Sequence, residues 1–432
     1  MPSFHSLAQE LNVLLEEHHP ELFSMLSKRG KAMYFPKKGI LGQAEETKGK
    51  RLNATIGIAL NDDKSPMRLA SAAALVNIDP SSVFPYAPAA GIAQLRKVWS
   101  ELMKSKNPSL KSTCTSPVVT GGLTHALSIA GLLFCDPGDS VLVQFPFWDN
   151  YELIFQDTYG AKLAPFPLFK DEAFNIHALR EELESRKGKQ ILLLNFPNNP
   201  TGYTPTNKEA DAIVAAIKES AERGNNVIVL IDDAYFGLVY EEGIFRESLF
   251  GKLASLHERV LAVKIDGASK EEYAWGLRVG FLTYGSKGLS KEGCYFFEEK
   301  TSGCVRATLS NASRLSQELI LEALKSKTYA EEKEHNFNVL KSRYIKSKEL
   351  LSQRDFSNIL HMLPCNSGYF LCVSMPKGVD AELVRQTLLS EYDTGVISLG
   401  NSLIRIAFSS VPEENLVELF TNIREAARKQ MK

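Results

Sequence analysis

Short apolar runs recur along the first two thirds of the chain. They lie at 116–122 (SPVVTGG), 140–146 (SVLVQFP), 191–197 (ILLLNFP), 226–233 (NVIVLIDD), 259–267 (RVLAVKIDG) and 278–285 (RVGFLTYG). Runs rich in Val, Ile and Leu and bounded by Gly, Pro or Asp predict buried strands. Between them the spacing changes to that of helices. One is predicted at 124–134, another at 207–223, where Ala210, Ile213, Val214 and Ile217 repeat at helical spacing. Strands alternating with helices predict an α/β fold, a mostly parallel sheet covered on both faces. From Ser310 onward the chain turns charged and helical. Two strand-like runs, NSGYFLCVSM and SLIRIAFSS, then flank another helix. This predicts a second, smaller α/β domain joined by the N-terminal arm: 56–312 as the large domain, 1–55 with 313–432 as the small one.

Composition narrows the picture. The 432 residues are 44 % hydrophobic and 23 % charged, enough for a sizeable core. Length alone suggests about three domains, which a large α/β fold absorbs in two. Fifty basic residues against 51 acidic give a net charge of −1, so nucleic acid and acidic membrane surfaces lose their electrostatic support. Small molecules or further protein subunits are the expected partners. The six cysteines show neither CxxC spacing nor a nearby histidine pair, so no metal site is expected. No run approaches the ~20 apolar residues of a membrane span. The N-terminal stretch is acidic and amphipathic rather than leader-like, which predicts a cytoplasmic protein with reduced thiols.

Ligands of such sheets bind beyond the carboxyl ends of the strands. Five successive run ends deliver polar or aromatic groups: Gly121–Thr124, Pro146–Trp148, Pro197–Gly202, Asp232–Tyr235 and Gly267–Lys270. A strand-end lysine with a lowered pKa can form a Schiff base with an aldehyde, although an isolated lysine is usually a solvated one. Asp232 suits a helix cap as well as a protonated ring nitrogen. Tyr235 and Trp148 serve in packing as readily as beside a ring. Gly122-Leu123-Thr124 opens a helix, whose free N–H groups suit a phosphate or an ordinary cap. It is not the GxGxxG pattern of dinucleotide binding.

Taken jointly, these residues resemble one family, the pyridoxal-phosphate-dependent aminotransferases of class I/II in the aspartate aminotransferase superfamily (fold type I). The resemblance rests on Tyr86-x-Pro88-x-x-Gly91-x-x-x-Leu95-Arg96, Asn199-Pro200-Thr201-Gly202, Asp232-x-Ala234-Tyr235, Lys270 eight residues before Arg278, and Arg405 in IRIAFSS, all in the family's order. It implies that Lys270 carries the cofactor, pyridoxal 5'-phosphate, and moves the proton. Asp232 would pair with the pyridine nitrogen, Asn199 and Tyr235 with the ring's phenolic oxygen, and Trp148 would stack on the ring. Gly122, Leu123, Thr124, Ser269 and Arg278 would surround the phosphate, with Tyr86 reaching across from the second subunit of a homodimer. Arg405 would clamp the substrate carboxylate, beside Gly57, Trp148 and Asn199. Arg306, in Arg-Ala-Thr-Leu-Ser-Asn, is similar to the arginine that dicarboxylate-specific members place across the interface.

The implied reaction is ping-pong transfer of an amino group between an amino acid and a 2-oxo acid. Glutamate and 2-oxoglutarate are expected as one pair, and a dicarboxylic or aromatic amino acid as the other substrate. A pyridoxal-phosphate lyase, of the C–S lyase or aminocyclopropane-carboxylate synthase kind, would use the same cofactor residues. A non-catalytic regulatory protein with an aminotransferase-like domain is a more distant reading. One departure stands out: many members carry a phosphate-binding serine three residues before the lysine, where this chain has Gly267 and the adjacent Ser269 is the candidate replacement. Arg278 also precedes its strand, whereas the other groups follow theirs. Convergence on one site therefore requires strand 279–285 to run against its neighbours, as one strand does in the family.

Overall fold

The computed structural model describes residues 4–18, 23–24, 26, 28–33, 39–73 and 78–431, so part of the N-terminal arm lies outside the described residues. Seven strands form the main sheet: β1 (Val118–Thr120), β2 (Ser140–Phe145), β3 (Lys162–Pro167), β4 (Lys189–Asn195), β5 (Asn226–Asp232), β6 (Val260–Gly267) and β7 (Gly280–Gly285), in the order β1-β7-β6-β5-β4-β2-β3. The unbroken apolar runs are explained by coverage on both sides. Val141, Val143, Ile191 and Leu193 enter one core while their sequence neighbours Leu142, Leu192 and Leu194 enter another. Helices Leu123–Phe134 and Asn207–Glu222 fall where the spacing predicts them. The second begins with a capping box, Thr206 with Glu209.

β7 is antiparallel to both neighbours, pairing Gly280 with Gly267 of β6 and with Thr120 of β1. The start of β7 thus lies beside the ends of β6 and β1, as convergence of Arg278, Lys270 and Gly122 demands. β3 escaped the sequence reading. Its run KLAPFP contains two prolines, which remove ladder donors, and such a run is tolerated because β3 occupies the sheet edge.

A four-stranded antiparallel sheet follows: β8 (His361–Met362), β9 (Leu371–Ser374), β10 (Ile397–Leu399) and β11 (Leu403–Ile406), in the order β8-β9-β11-β10. The helical stretch before it is two helices, Arg314–Lys325 and Tyr329–Ser352. The N-terminal segment docks on this part. Leu52–Asn53 pairs in parallel with Thr394–Gly395, Gln43 exchanges hydrogen bonds with the Ser398 backbone at 3.1 and 2.8 Å, and Ala407 N–H donates to the Ala54 carbonyl at 2.8 Å. Among the described residues no helix is long and apolar enough to cross a membrane.

Candidate active site

A cavity of about 390 Å³ opens at the carboxyl end of the main sheet. Of the residues singled out from the sequence, Gly57, Leu123, Thr124, Trp148, Asn199, Asp232, Tyr235, Ser269, Lys270, Arg278 and Arg405 line it. Gly122 sits just behind, against the Arg278 side chain. Tyr86 and Arg306 do not line the cavity of their own chain. Tyr86 is 88 % exposed, and Arg306 donates to Ser310 Oγ at 2.6 Å on the surface.

Lys270 lies three residues beyond the end of β6, in the short helix Ala268–Glu271. Burial pushes its amine down to about 8; Asp232 opposes the shift and Arg278 adds to it. A neutral fraction larger than an ordinary lysine has near neutral pH makes the amine available as a nucleophile and a proton carrier. Its Nζ lies 5.3 Å from the centre of the Tyr235 ring.

Asp232 ends β5, is buried, and is held on both oxygens. Tyr151 O–H donates to Oδ2 at 2.6 Å and Ala234 N–H to Oδ1 at 3.1 Å. Burial raises the carboxyl above its ordinary value, while Tyr151, then Lys270 and the Ala234 N–H, pull it back. Sequence reading missed Tyr151 and Asn195. Asn195 donates to the Asp232 carbonyl at 2.9 Å and accepts from Asn199 N–H at 2.8 Å, so it locks one strand end to the next. Neither carries a signal of its own. Tyr151 lies three residues after Trp148 in an aromatic-rich stretch, and Asn195 closes an apolar run. Tyr151→Phe removes the strongest group favouring charged Asp232, so its pKa rises further. The acid limb of the kcat/KM pH profile then moves to higher pH, which a comparison of the two profiles measures.

An anion cradle forms where β1, β6 and β7 meet. Helix Leu123–Phe134 starts without a side-chain cap, leaving its first N–H groups free. Gly122 adopts φ +88°, and a Cβ there would stand 2.4 Å from an Arg278 nitrogen, so the guanidinium approaches the helix start only because glycine stands there. Ser269 Oγ is buried, lines the cavity and has no hydrogen-bond partner among the described residues. An uncapped helix start, a guanidinium and an orphaned hydroxyl fit a phosphate. Serine has no room at Gly267, where a Cβ would lie 2.6 Å from the Val279 carbonyl oxygen. The hydroxyl that lines the cavity here is that of Ser269.

Arg405, from β11, reaches the same cavity from the second sheet. It is 3 % exposed and donates to Asn199 Oδ1 at 3.3 Å and to the Thr55 carbonyl at 3.0 Å. Its guanidinium lies 4.3 Å from the Phe370 ring centre, and Nε has no partner among the described residues. A buried guanidinium with an unused donor suits a carboxylate. Because Asn199 accepts through Oδ1, its amide nitrogen stays free to donate into the cavity. The whole donor set fits a pyridine ring bearing a phosphate: a carboxylate for its nitrogen, an amide and a phenol for its oxygen, an amine and an aromatic face.

The chain belongs to the aminotransferase class I and II family, whose match covers residues 53–423. Its fold is that of the aminotransferases it resembles, fold type I. It is 30 % identical over 256 residues to a probable N-acetyl-LL-diaminopimelate aminotransferase of Bacillus subtilis, covering 59 % of this chain and 58 % of that one. A probable aspartate/prephenate aminotransferase of Thermus aquaticus is 30 % identical over 45 % of this chain and 48 % of its own length. The chain thus spans about half the length of these curated relatives. An aminotransferase of Anaerococcus prevotii matches in structure with a TM-score of 0.82 and 26 % identity, over 94 % of this chain and 100 % of that one.

Proposed function

We propose that the protein transfers an amino group between an amino acid and a 2-oxo acid. Glutamate and 2-oxoglutarate form one pair in this reading, and a dicarboxylic or aromatic amino acid is the other substrate. The observation that carries it is the joint placement of Lys270, Asp232 and Arg405 around one cavity: an amine of lowered pKa, a buried carboxylate and a buried guanidinium. Bound pyridoxal phosphate supplies an electron-accepting ring that stabilises negative charge at the substrate's α-carbon. Arg405 takes the substrate carboxylate through its unused donors and so fixes which face of the α-carbon meets Lys270. Lys270 would remove the α-proton and redeliver it, acting first as base and then as acid. Asp232, whose charged form the Tyr151 O–H favours against the effect of burial, would hold a proton on the pyridine nitrogen. Trp148 and Tyr235 confine the ring, and Asn199 donates to its oxygen.

The same reading treats 56–312 as the cofactor-binding domain and the two chain ends as a smaller one that delivers Arg405. Docking of residues 43–54 on the C-terminal sheet supports it. It also makes the protein a homodimer, supported by the exposed Phe84 and Tyr86, which are 85 % and 88 % accessible beside the Pro88–Gly91 turn. The test incubates holoprotein with a panel of amino acids and 2-oxoglutarate and follows the products. Glutamate formation in step with 2-oxo acid is expected. Pyruvate and ammonia without glutamate would instead assign a lyase.

A further inference from the structure

The turn that carries Lys270 continues into two glutamates, and both are buried: the side chains of Glu271 and Glu272 are 8 % and 1 % exposed. Carboxylates so placed need cations and hydrogen bonds. Lys106, the last residue of helix Ala93–Lys106, reaches Glu271 Oε1 at 2.7 Å and Glu272 Oε1 at 3.5 Å. Lys333, one turn into helix Tyr329–Ser352, reaches the same two oxygens at 2.7 and 2.9 Å. Tyr329 O–H donates to both Glu272 oxygens at 2.9 and 2.8 Å. Two cations and two anions from three separate elements thus form one closed, charge-balanced cluster. Lys106 and Lys333 bring the Glu271 carboxyl down to about 2 despite its burial.

Three features connect this cluster to the site. Gly237, two residues beyond Tyr235, has φ +86°, and a Cβ there would stand 2.5 Å from Glu271 Oε1. The strand end that presents Asp232 and Tyr235 is therefore shaped to admit Glu271. The stretch between Lys270 and Arg278 contains two non-glycine residues in left-handed backbone, Tyr273 and Arg278, both at φ +53°. Such conformations persist only where the surroundings over-determine them. On the other flank, Tyr369 O–H donates to the Lys270 carbonyl at 2.9 Å.

We propose that Glu271 and Glu272 are positioning residues for Lys270, tying the lysine-bearing turn at once to helix Ala93–Lys106 and helix Tyr329–Ser352. This rests on Lys270 being the cofactor-bearing lysine. The cluster keeps the turn from relaxing towards unstrained backbone, and Tyr369 holds the peptide from the opposite side. The amine then keeps one direction into the cavity.

The test uses holoenzyme: wild type, E271Q, K333M, K333R and Y329F, with K252M as a control whose surface pair with Asp211 lies outside the site. Two readouts matter: visible circular dichroism of the cofactor band per mole bound, and steady-state kinetics. E271Q and K333M are expected to weaken the ellipticity and lower kcat about tenfold or more with KM changed less than about twofold. K333R is expected to recover most of both, and K252M to match wild type. Unchanged ellipticity and kcat in E271Q and K333M, whatever happens to Tm, would overturn the proposal, as would a K333R no better than K333M. If E271Q does not fold, K333M and Y329F decide in the same way. A cofactor band left intact in K270A would overturn the Lys270 assignment and this proposal with it.

Discussion

Lys270→Ala is expected to abolish amino-group transfer in a single half-reaction, a loss of at least about 10⁴-fold, while leaving the fold intact. The size follows from one group doing two tasks, binding the cofactor and moving the proton. The intact fold follows from the electrostatics. Burial lowers the Lys270 amine from 10.5 to about 8, so the unfolded chain binds the extra proton more readily than the folded one. That penalty on the folded state is full below about pH 8 and fades as pH rises to 10.5. Removing the amine removes the penalty, so the apo variant should melt no lower than wild type at neutral pH. Rapid-mixing absorbance of the loaded enzyme with an amino acid, beside a thermal scan, checks both halves. Retained transfer in a clean preparation would sink the assignment.

Asp232→Asn should cost about 10³-fold in kcat with a near-normal cofactor content. Asparagine has nearly the same shape, but it is neutral, and one of its terminal atoms is a donor. Asp232 now accepts from Tyr151 O–H on one oxygen and from Ala234 N–H on the other. An amide nitrogen in either place meets a donor, so one hydrogen bond is lost. A neutral group also gives up the charge that holds a proton on a ring nitrogen. Single-turnover rates together with a cofactor titration separate this from simple loss of binding. A rate within about threefold of wild type would remove Asp232 from the chemistry.

Much of this site was legible in the sequence because strand ends are legible. An apolar run that stops at Asp232, or at Gly267 before Lys270, marks both a strand and the polar group that the strand delivers. Even the reversed direction of Gly280–Gly285 followed from Arg278 preceding its strand, and the pairing of Gly280 with Gly267 and Thr120 bears it out. Tyr151 and Asn195 were not legible, because their roles consist of contacts to residues 81 and 37 positions away. The edge strand Lys162–Pro167 was hidden by its prolines. Glu271 and Glu272 carry no signal of their own in the sequence, and only the folded chain shows them buried between Lys106 and Lys333.

By itself, the sequence determined the class of fold and the types of group at the site. Hydrophobic periodicity is a local property, and side-chain chemistry travels with residue type. The tertiary structure decided which groups meet and in what state. It placed Arg405 against Asn199 across 206 positions, left Ser269 Oγ without a partner among the described residues beside the uncapped helix start, and closed Gly267 to any side chain. It also lowered Lys270 and raised Asp232 by taking both from water. These are matters of distance and desolvation, which arise only once remote segments pack together.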